Sequence, residues 1–414
     1  VPKLSAMSGP SYDAIVVGAG PGGSTAATMM SESGLRVLLI DKDSFPRDKV
    51  CGDAISGKSM EALEKLGLVD QFETQKALPT WGLTISGPSG DQVEIPFTKD
   101  RHRRIPPGIV CQRERFDDIL LNRAVRAGVI VIKGSVTKVL RKRDVVIGVA
   151  TASGSETAHY FAPIVIGADG AYSIVARELG MEQLDDEHYS AGIRAYFSGV
   201  TGFNDGNYIE IHFVDESIPG YFWIFPLENG LSNVGVGILS SVIKKNNIRL
   251  KVMFQAMVSH PRFIERFSNA TQLGPTKGWG LPLGSQPRSM AGNGWMLVGD
   301  AASLIDPFTG EGIGNAMISG ILAAEWAQKA HEKQDFSAPF LGSYEKNVLE
   351  LLDDELKISK TMQRLVKRKW LLNAVIRKAS RSKEVSETIT SMFFDLEARQ
   401  KMASPWFYVK LLFA

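Results

Sequence analysis

An α/β fold is predicted for this 414-residue chain by three features: strand–turn–helix units set far apart, a block of long alternating strands between the last two, and a helical pattern past Lys346. Together they describe a discontinuous Rossmann-type domain at 11–75, 105–185 and 286–345. An antiparallel-sheet domain is inserted at 76–104 and 186–285, and a helical C-terminal region follows at 346–414.

The first unit, Tyr12 to Asp41, carries the strongest pattern. An apolar run, Ala14 to Val17, leads into Gly18, Gly20 and Gly23 spaced as GxGxxG, then into a small-residue helix ending near Gly34. A second apolar run, Leu35 to Ile40, closes on Asp41, 18 residues beyond Gly23, where a ribose-binding carboxylate belongs. Gly18 permits the tight turn, Gly20 the approach of a pyrophosphate, and Gly23 close packing of helix on sheet, while free amides at the helix start attract phosphate. With strand, helix and acid in register, the unit is expected to bind a dinucleotide.

Composition narrows the rest. Charged residues are 22% and the net charge is +2, so no global basic field points to nucleic acid. Cys51 and Cys111 stand apart from any CxxC or Cys/His cluster, which argues against a zinc or iron–sulfur centre, so any electrons come from an outside donor. No apolar run approaches the ~20 residues that span a bilayer, and a cytoplasmic location is expected. The opening VPKLSAMSGPS lacks the apolar stretch of a signal peptide and is left out of the fold.

Taken in order, the chain next runs through DSFPRDKVCGDAISGK, a loop leaving the carboxyl end of the second strand, where Arg47, Cys51 and Asp53 are placed to line a crevice. Cys51 reads equally as a small inert hydrophobe. Trp81 to Phe97 reads as a hairpin of another sheet. Arg113 precedes a helix expected from about Arg115 and is either a phosphate-reaching cation or a surface arginine. The second unit, Phe161 to Arg177, turns at Gly167, Asp169 and Gly170, with Asp169 either at the nucleotide's edge or a plain helix cap.

Alternating strands follow at Ala191–Phe197, Asn207–Phe213, Tyr221–Pro226 and Leu231–Leu239, with a helix over Lys251–Phe267. Tyr221, Trp223 and Phe225 share one strand face, and Gly235 and Gly237 leave room opposite, so the pair reads either as a slot for a long apolar ligand or as aromatic core. The third unit, Gly294 to Ala327, places Gly299, Asp300, Pro307, Gly310 and Gly312 ahead of a helix starting near Ile313. Glycine-bared amides at that start suit the negative charge of a reduced flavin and favour flavin over nicotinamide. Finally, Arg364 to Lys383 carries eight Lys/Arg and no acid among Trp370, Leu371, Leu372, Val375 and Ile376, and the chain ends WFYVKLLFA. Basic plus aromatic reads as a membrane-surface helix, or as a solvated face over an ordinary packing stripe.

GAGPGG with Asp41, the ADG at Asp169 and the GD of Gly299–Asp300 resemble the p-hydroxybenzoate-hydroxylase-like flavoprotein superfamily of monooxygenases, halogenases and geranylgeranyl reductases. PRDKVCGD at Pro46–Asp53, YFWIFP with the spaced GVG at Tyr221–Gly237, and DPFTGEGIGNAMISGILAAE at Asp306–Glu325 resemble the geranylgeranyl reductase family. The resemblance implies FAD held by Gly18, Gly20, Pro21, Gly23, Asp41, Lys42, Cys51, Gly52, Arg113, Asp169, Gly299, Asp300, Pro307, Gly310, Gly312 and Ile313. It implies an isoprenoid chain along Tyr221, Trp223, Phe225, Gly235 and Gly237, with Cys51, Tyr221 and Trp223 nearest the chemistry. The implied reaction is saturation of C=C bonds in a prenyl chain of a lipid, quinone, polyprenol or pigment, with NAD(P)H or ferredoxin as donor. Ser303 stands after GDAA where hydroxylases often carry His and reductases Gly. GYFWIFP differs from the halogenase-like GWxWxIP. An FAD monooxygenase or halogenase on an apolar aromatic substrate is the alternative enzyme, and a flavin-containing lipid or electron carrier is the alternative outside catalysis.

Overall fold

The structure, a computed structural model, describes residues 11–74, 77–97, 105–153, 156–181, 185–382 and 385–386. Its central sheet runs in the order Ala291–Gly292, Trp295–Leu297, Ile164–Gly167, Ala14–Val17, Val37–Asp41, Ile130–Lys133. Every neighbouring pair is parallel except the first. The central runs Ile164–Gly167, Ala14–Val17 and 37–40 are buried, as strands of a parallel sheet covered on both faces must be, while the edge strand Ile130–Lys133 is partly exposed. One apolar core packs them with the helices Pro21–Glu32 and Ile313–Lys333 and with a three-stranded antiparallel sheet, Ser135–Lys142, Val145–Ser153 and Glu156–Phe161.

The two helices meet backbone to backbone. A Cβ on Gly320 would lie 2.5 Å from the Gly22 carbonyl oxygen, and one on Gly22 would lie 2.8 Å from that of Ala316. Two segments about 300 residues apart therefore meet at one sheet edge, and the strands deliver Gly18, Asp41, Ala168 and Val298 to their carboxyl ends there.

The second sheet has seven strands, in the order Thr271–Pro282, Tyr189–Ser198, Leu231–Leu239, Tyr221–Pro226, Ile209–His212, Gly82–Ser86, Gln92–Pro96. It is antiparallel except where Gly82–Ser86 joins Ile209–His212 in parallel, which brings the Trp81–Phe97 hairpin into this sheet.

Three expectations shift. The helix expected from Arg115 begins at Arg113, behind Gln112. The helix expected over Lys251–Phe267 is confined to Leu250–Val258 and turns follow it, since Pro261 supplies no amide to continue the ladder. The C-terminal helices are Ala338–Leu365 and Lys369–Ala379. In the second, Leu371, Leu372, Val375 and Ile376 are buried, three of them with Val93, Ile95 and Phe213 in one core, so the apolar stripe is packing surface and only Trp370 among those five is exposed. The terminal WFYVKLLFA lies outside the described residues. Among the described residues no helix is long and apolar enough to cross a membrane.

Candidate functional site

The glycine turn after Ala14–Val17 does three separate jobs. Gly18 has φ +100°, and a Cβ there would sit 2.4 Å from the Ala168 carbonyl oxygen. At Gly23 a Cβ would fall 1.8 Å from the Gly18 carbonyl oxygen, so both positions exclude side chains on internal grounds. A Cβ on Gly20 would meet nothing within 4 Å. It would project into a cavity of about 870 Å³ that Gly18, Gly20 and Pro21 line. Asp41 braces the turn: Oδ2 accepts from the Ala19 amide at 2.7 Å and Oδ1 from the Asp43 amide at 2.9 Å, leaving acceptor capacity facing the cavity. Lys42 lines the same end with a mostly exposed side chain, 3.4 Å from the Asp43 carboxylate.

Two other expected contacts are engaged elsewhere. Asp169 accepts from the amides of Ile174 at 2.7 Å and Val175 at 3.1 Å at the start of the helix Ile174–Glu178, as the cap alternative has it, and it lines the cavity as well. Arg113 is buried and makes two bonds to Asp117, at 2.7 and 2.8 Å, a pairing one helical turn away. It is therefore no surface arginine; its guanidinium lines the cavity beside the Cys51 thiol.

At the third unit, Gly299 adopts φ +58° with Ala316 packed where its side chain would be. Asp300 faces the cavity, and burial raises its carboxyl above the usual range. Pro307, Gly310 and Gly312 also line the cavity, and no side chain caps the helix that opens at Ile313 behind Gly312. Its first amides are therefore free for an acceptor from outside the chain. Ser303 holds φ +55°, a left-handed conformation in which glycine carries no penalty.

The loop between Asp43 and Asp53 ties the two sheets together. Asp48 pairs with Arg194 and, at 2.7 Å, with Lys277 of the second sheet. Lys49 lies 3.4 Å from the centre of the Trp279 ring, and burial lowers its ammonium to about 7 despite the attraction of Asp300. Burial likewise pushes the Cys51 thiol up, so it stays neutral. Gly52 is where the loop touches the aromatic strand: a Cβ there would be 2.8 Å from the Phe225 ring. Asp53 follows at φ +68°, fully buried, its Oδ2 accepting from Tyr196 at 2.8 Å and from Asn233 at 2.7 Å. Asn233 also donates to the Cys51 carbonyl at 2.7 Å and accepts from the Trp223 indole at 2.9 Å. Sequence reading noticed Asp53 but missed Lys49, Tyr196, Arg194 and Asn233; the available clue was a lone Asn inside the apolar strand Leu231–Leu239.

The aromatic stripe is continuous, with ring centres 6.1 Å apart for Tyr221 and Trp223 and 6.3 Å for Trp223 and Phe225. Tyr221 donates to the Thr309 carbonyl, fastening the stripe to the Pro307–Gly312 loop. The room expected over Gly235 is corrected: Trp223 itself fills it, since a Cβ on Gly235 would lie 2.1 Å from the indole, whereas Gly237 lines the cavity and a Cβ there would meet the indole only at 3.7 Å. Gly235 seats the tryptophan, and open space lies on the other side of the ring, continuous with the nucleotide end past Cys51, Gly52 and Asp53.

The sequence profile of the FAD binding domain family matches residues 11–351. Menaquinone reductase of Mycobacterium tuberculosis is 33% identical over 76% of each chain. A digeranylgeranylglycerophospholipid reductase of Methanococcoides burtonii is 33% identical over 81% of this chain and 79% of its own. This chain belongs to the FAD-binding reductases. Among solved structures, a geranylgeranyl bacteriochlorophyll reductase-like protein from Thermoplasma acidophilum superposes on the flavoprotein with a TM-score of 0.82 and 26% identity, over 95% of this chain and 100% of that one.

FAD is the cofactor, and the reductase's own residues fit it. Gly20 opens onto the cavity without obstruction, as a pyrophosphate requires. Asp300 is a cavity-lining carboxylate that no side chain hydrogen-bonds among the described residues, which suits a hydroxyl-bearing ribityl chain. The uncapped helix start at Ile313 offers amides to an electron-rich ring.

Proposed function

We propose that this flavoprotein hydrogenates C=C bonds of a geranylgeranyl or other polyprenyl chain carried by a lipid, quinone or related precursor. The observation that carries this reading is a continuous cavity that joins the nucleotide cradle at Gly20 and Asp41 to an apolar length walled by Tyr221, Trp223, Phe225, Ile211 and Phe308. When reduced, FAD supplies a hydride. An isolated alkene is unpolarised, so the protein must hold the bond close to the ring and keep water away. Tyr221 and Trp223 wall the approach, and the Cys51–Asp53 turn forms the passage between the two ends. NAD(P)H or ferredoxin would reload the cofactor, and substrate would be drawn from a membrane surface near Trp370 in a cytoplasmic setting.

The test is an anaerobic single-turnover assay of the chemically reduced holoenzyme with a digeranylgeranyl glycerophospholipid and with menaquinone. Product heavier by two hydrogens per bond, with reoxidation of FAD, is expected. Product that forms only when oxygen is admitted would make the chain a monooxygenase, and no turnover with either lipid would leave a carrier.

A further inference from the structure

Saturating a C=C bond takes a hydride at one carbon and a proton at the other, and of the titratable groups in the cavity wall, with Asp300 set at the cofactor end, Cys51, Tyr221, Lys49 and Asp53 lie nearest the aromatic stripe. Cys51 is a neutral thiol whose acidity burial weakens further, and Tyr221 is weakened in the same way, with its hydroxyl already donating to Thr309. Lys49 lies over the Trp279 ring and faces Asp300.

Asp53 differs from these. The residue is 0% exposed and belongs to the cavity wall with Cys51 and Trp223, just behind its surface, and its backbone is held at φ +68°, which L residues seldom adopt without surrounding contacts to enforce it. Oδ2 takes both Tyr196 and Asn233, whereas Oδ1 is buried with no hydrogen-bond partner among the described residues. A buried carboxyl oxygen without a donor costs least when it carries the proton itself. The two bonds to Oδ2 fix which oxygen that is. Asn233 also holds the Trp223 indole, so one amide positions both the acid and the aromatic wall.

We infer that Asp53 Oδ1 is the proton donor of the reduction, an assignment that rests on the function proposed above. One alkene carbon accepts hydride from reduced FAD while the π electron pair forms a C–H bond with the Oδ1 proton at the other. Oxidised FAD, a saturated bond and the Asp53 carboxylate remain, and the carboxylate regains its proton from water. Tyr196 and Asn233 are positioning residues. The surroundings agree: burial raises Asp53 to about 6, against the opposing pull of Arg194 and Arg113 and the bonds from Asn233 and Tyr196. The other titratable neighbours, Cys51 and Cys111, are thiols pushed up, the latter to about 12, and carry no charge near neutrality.

The donor form exists below the Asp53 pKa, so single-turnover reduction is expected to fall as pH rises through it. In Asp53→Asn holoenzyme, bound FAD and its reduction by dithionite should be unchanged while the reduction rate drops ~100-fold or more, the usual range for losing a general acid. Tyr196→Phe removes a bond that favours the ionised form, so the falling limb should move to higher pH. Independently of turnover, infrared spectra of the oxidised holoenzyme should show a carboxylic-acid C=O band that titrates in wild type and is missing in Asp53→Asn. Full activity with an unmoved pH profile in both variants would overturn the assignment, as would an unchanged band or a limb that moves only in Lys49→Met. A wild-type chain that saturates neither lipid anaerobically would instead overturn the proposed function, and this inference with it.

Discussion

At the scale of the residue, the three glycines of the first turn are unequal, and the structure says which one can be tested cleanly. Gly18 and Gly23 have backbone carbonyl oxygens where a side chain would go, so substitution there would disturb the fold before it disturbed binding. Gly20 has only cavity around it. Gly20→Val is therefore expected to fold with an unchanged circular dichroism spectrum and to purify colourless, read as loss of FAD absorbance on denaturation; a yellow, fully loaded variant would remove the cradle from this turn. The turn was legible in the sequence because its constraints are local. The final settings of Arg113 and Asp169 were not, because each has a partner four to six residues ahead that competes with any ligand for the same atoms. Spacing shows that a charge is near a site, and it does not show that the charge is spare.

Elements were most readable where a pattern repeats. Tyr221–Pro226 and Leu231–Leu239 lie where alternation and spaced glycines put them, because side-chain period and sheet pleat are the same fact. What alternation could not give was cross-strand register, and register is what sets Trp223 opposite Gly235 and Tyr221 opposite Gly237. The glycine therefore receives an indole instead of opening a slot. Trp223 is half-buried and held by Asn233, so it forms part of the wall without being a keystone of the core. Trp223→Ala is expected to keep its FAD and to lose most activity on long prenyl chains, with Trp223→Phe restoring part of it. Full burial of an aromatic would be worth ~3–5 kcal/mol, so a collapse of the thermal melt in the alanine variant would show that packing was its main duty.

Across the whole molecule, the sequence announced separate sheets but could not say how they meet. The answer lies in ion pairs and hydrogen bonds from one loop, Asp48 to Arg194 and Lys277, Asp53 to Tyr196 and Asn233, none of which leaves a periodic trace. The C-terminal region is likewise decided by tertiary contact: the helix Lys369–Ala379 spends its apolar face on the second sheet, leaving Trp370 exposed at 60% beside Lys367, Arg368 and Lys369. Lys367 and Arg368 near an anionic surface contribute ~1 kcal/mol each, Lys369 less because it is paired with Asp215 at 2.9 Å, and a tryptophan adds interfacial burial. Sedimentation with anionic liposomes is therefore expected to fall with added salt and on neutralising all three residues. Equal binding to neutral liposomes, or none to either, would leave the helix a plain solvated face.

The meeting of Gly22 with Gly320 also sets a timetable for synthesis. The strand Ala14–Val17 leaves the ribosome early, but its neighbours Ile164–Gly167 and then Trp295–Leu297 follow far behind, and the helix that closes against Pro21–Glu32 comes later still. At ~5–20 residues per second, a delay of about 15–60 s separates the first half of the cradle from the last. Throughout that interval the nascent chain carries an apolar strand with an open edge and an unfinished nucleotide cradle, the kind of surface that chaperones shield from aggregation.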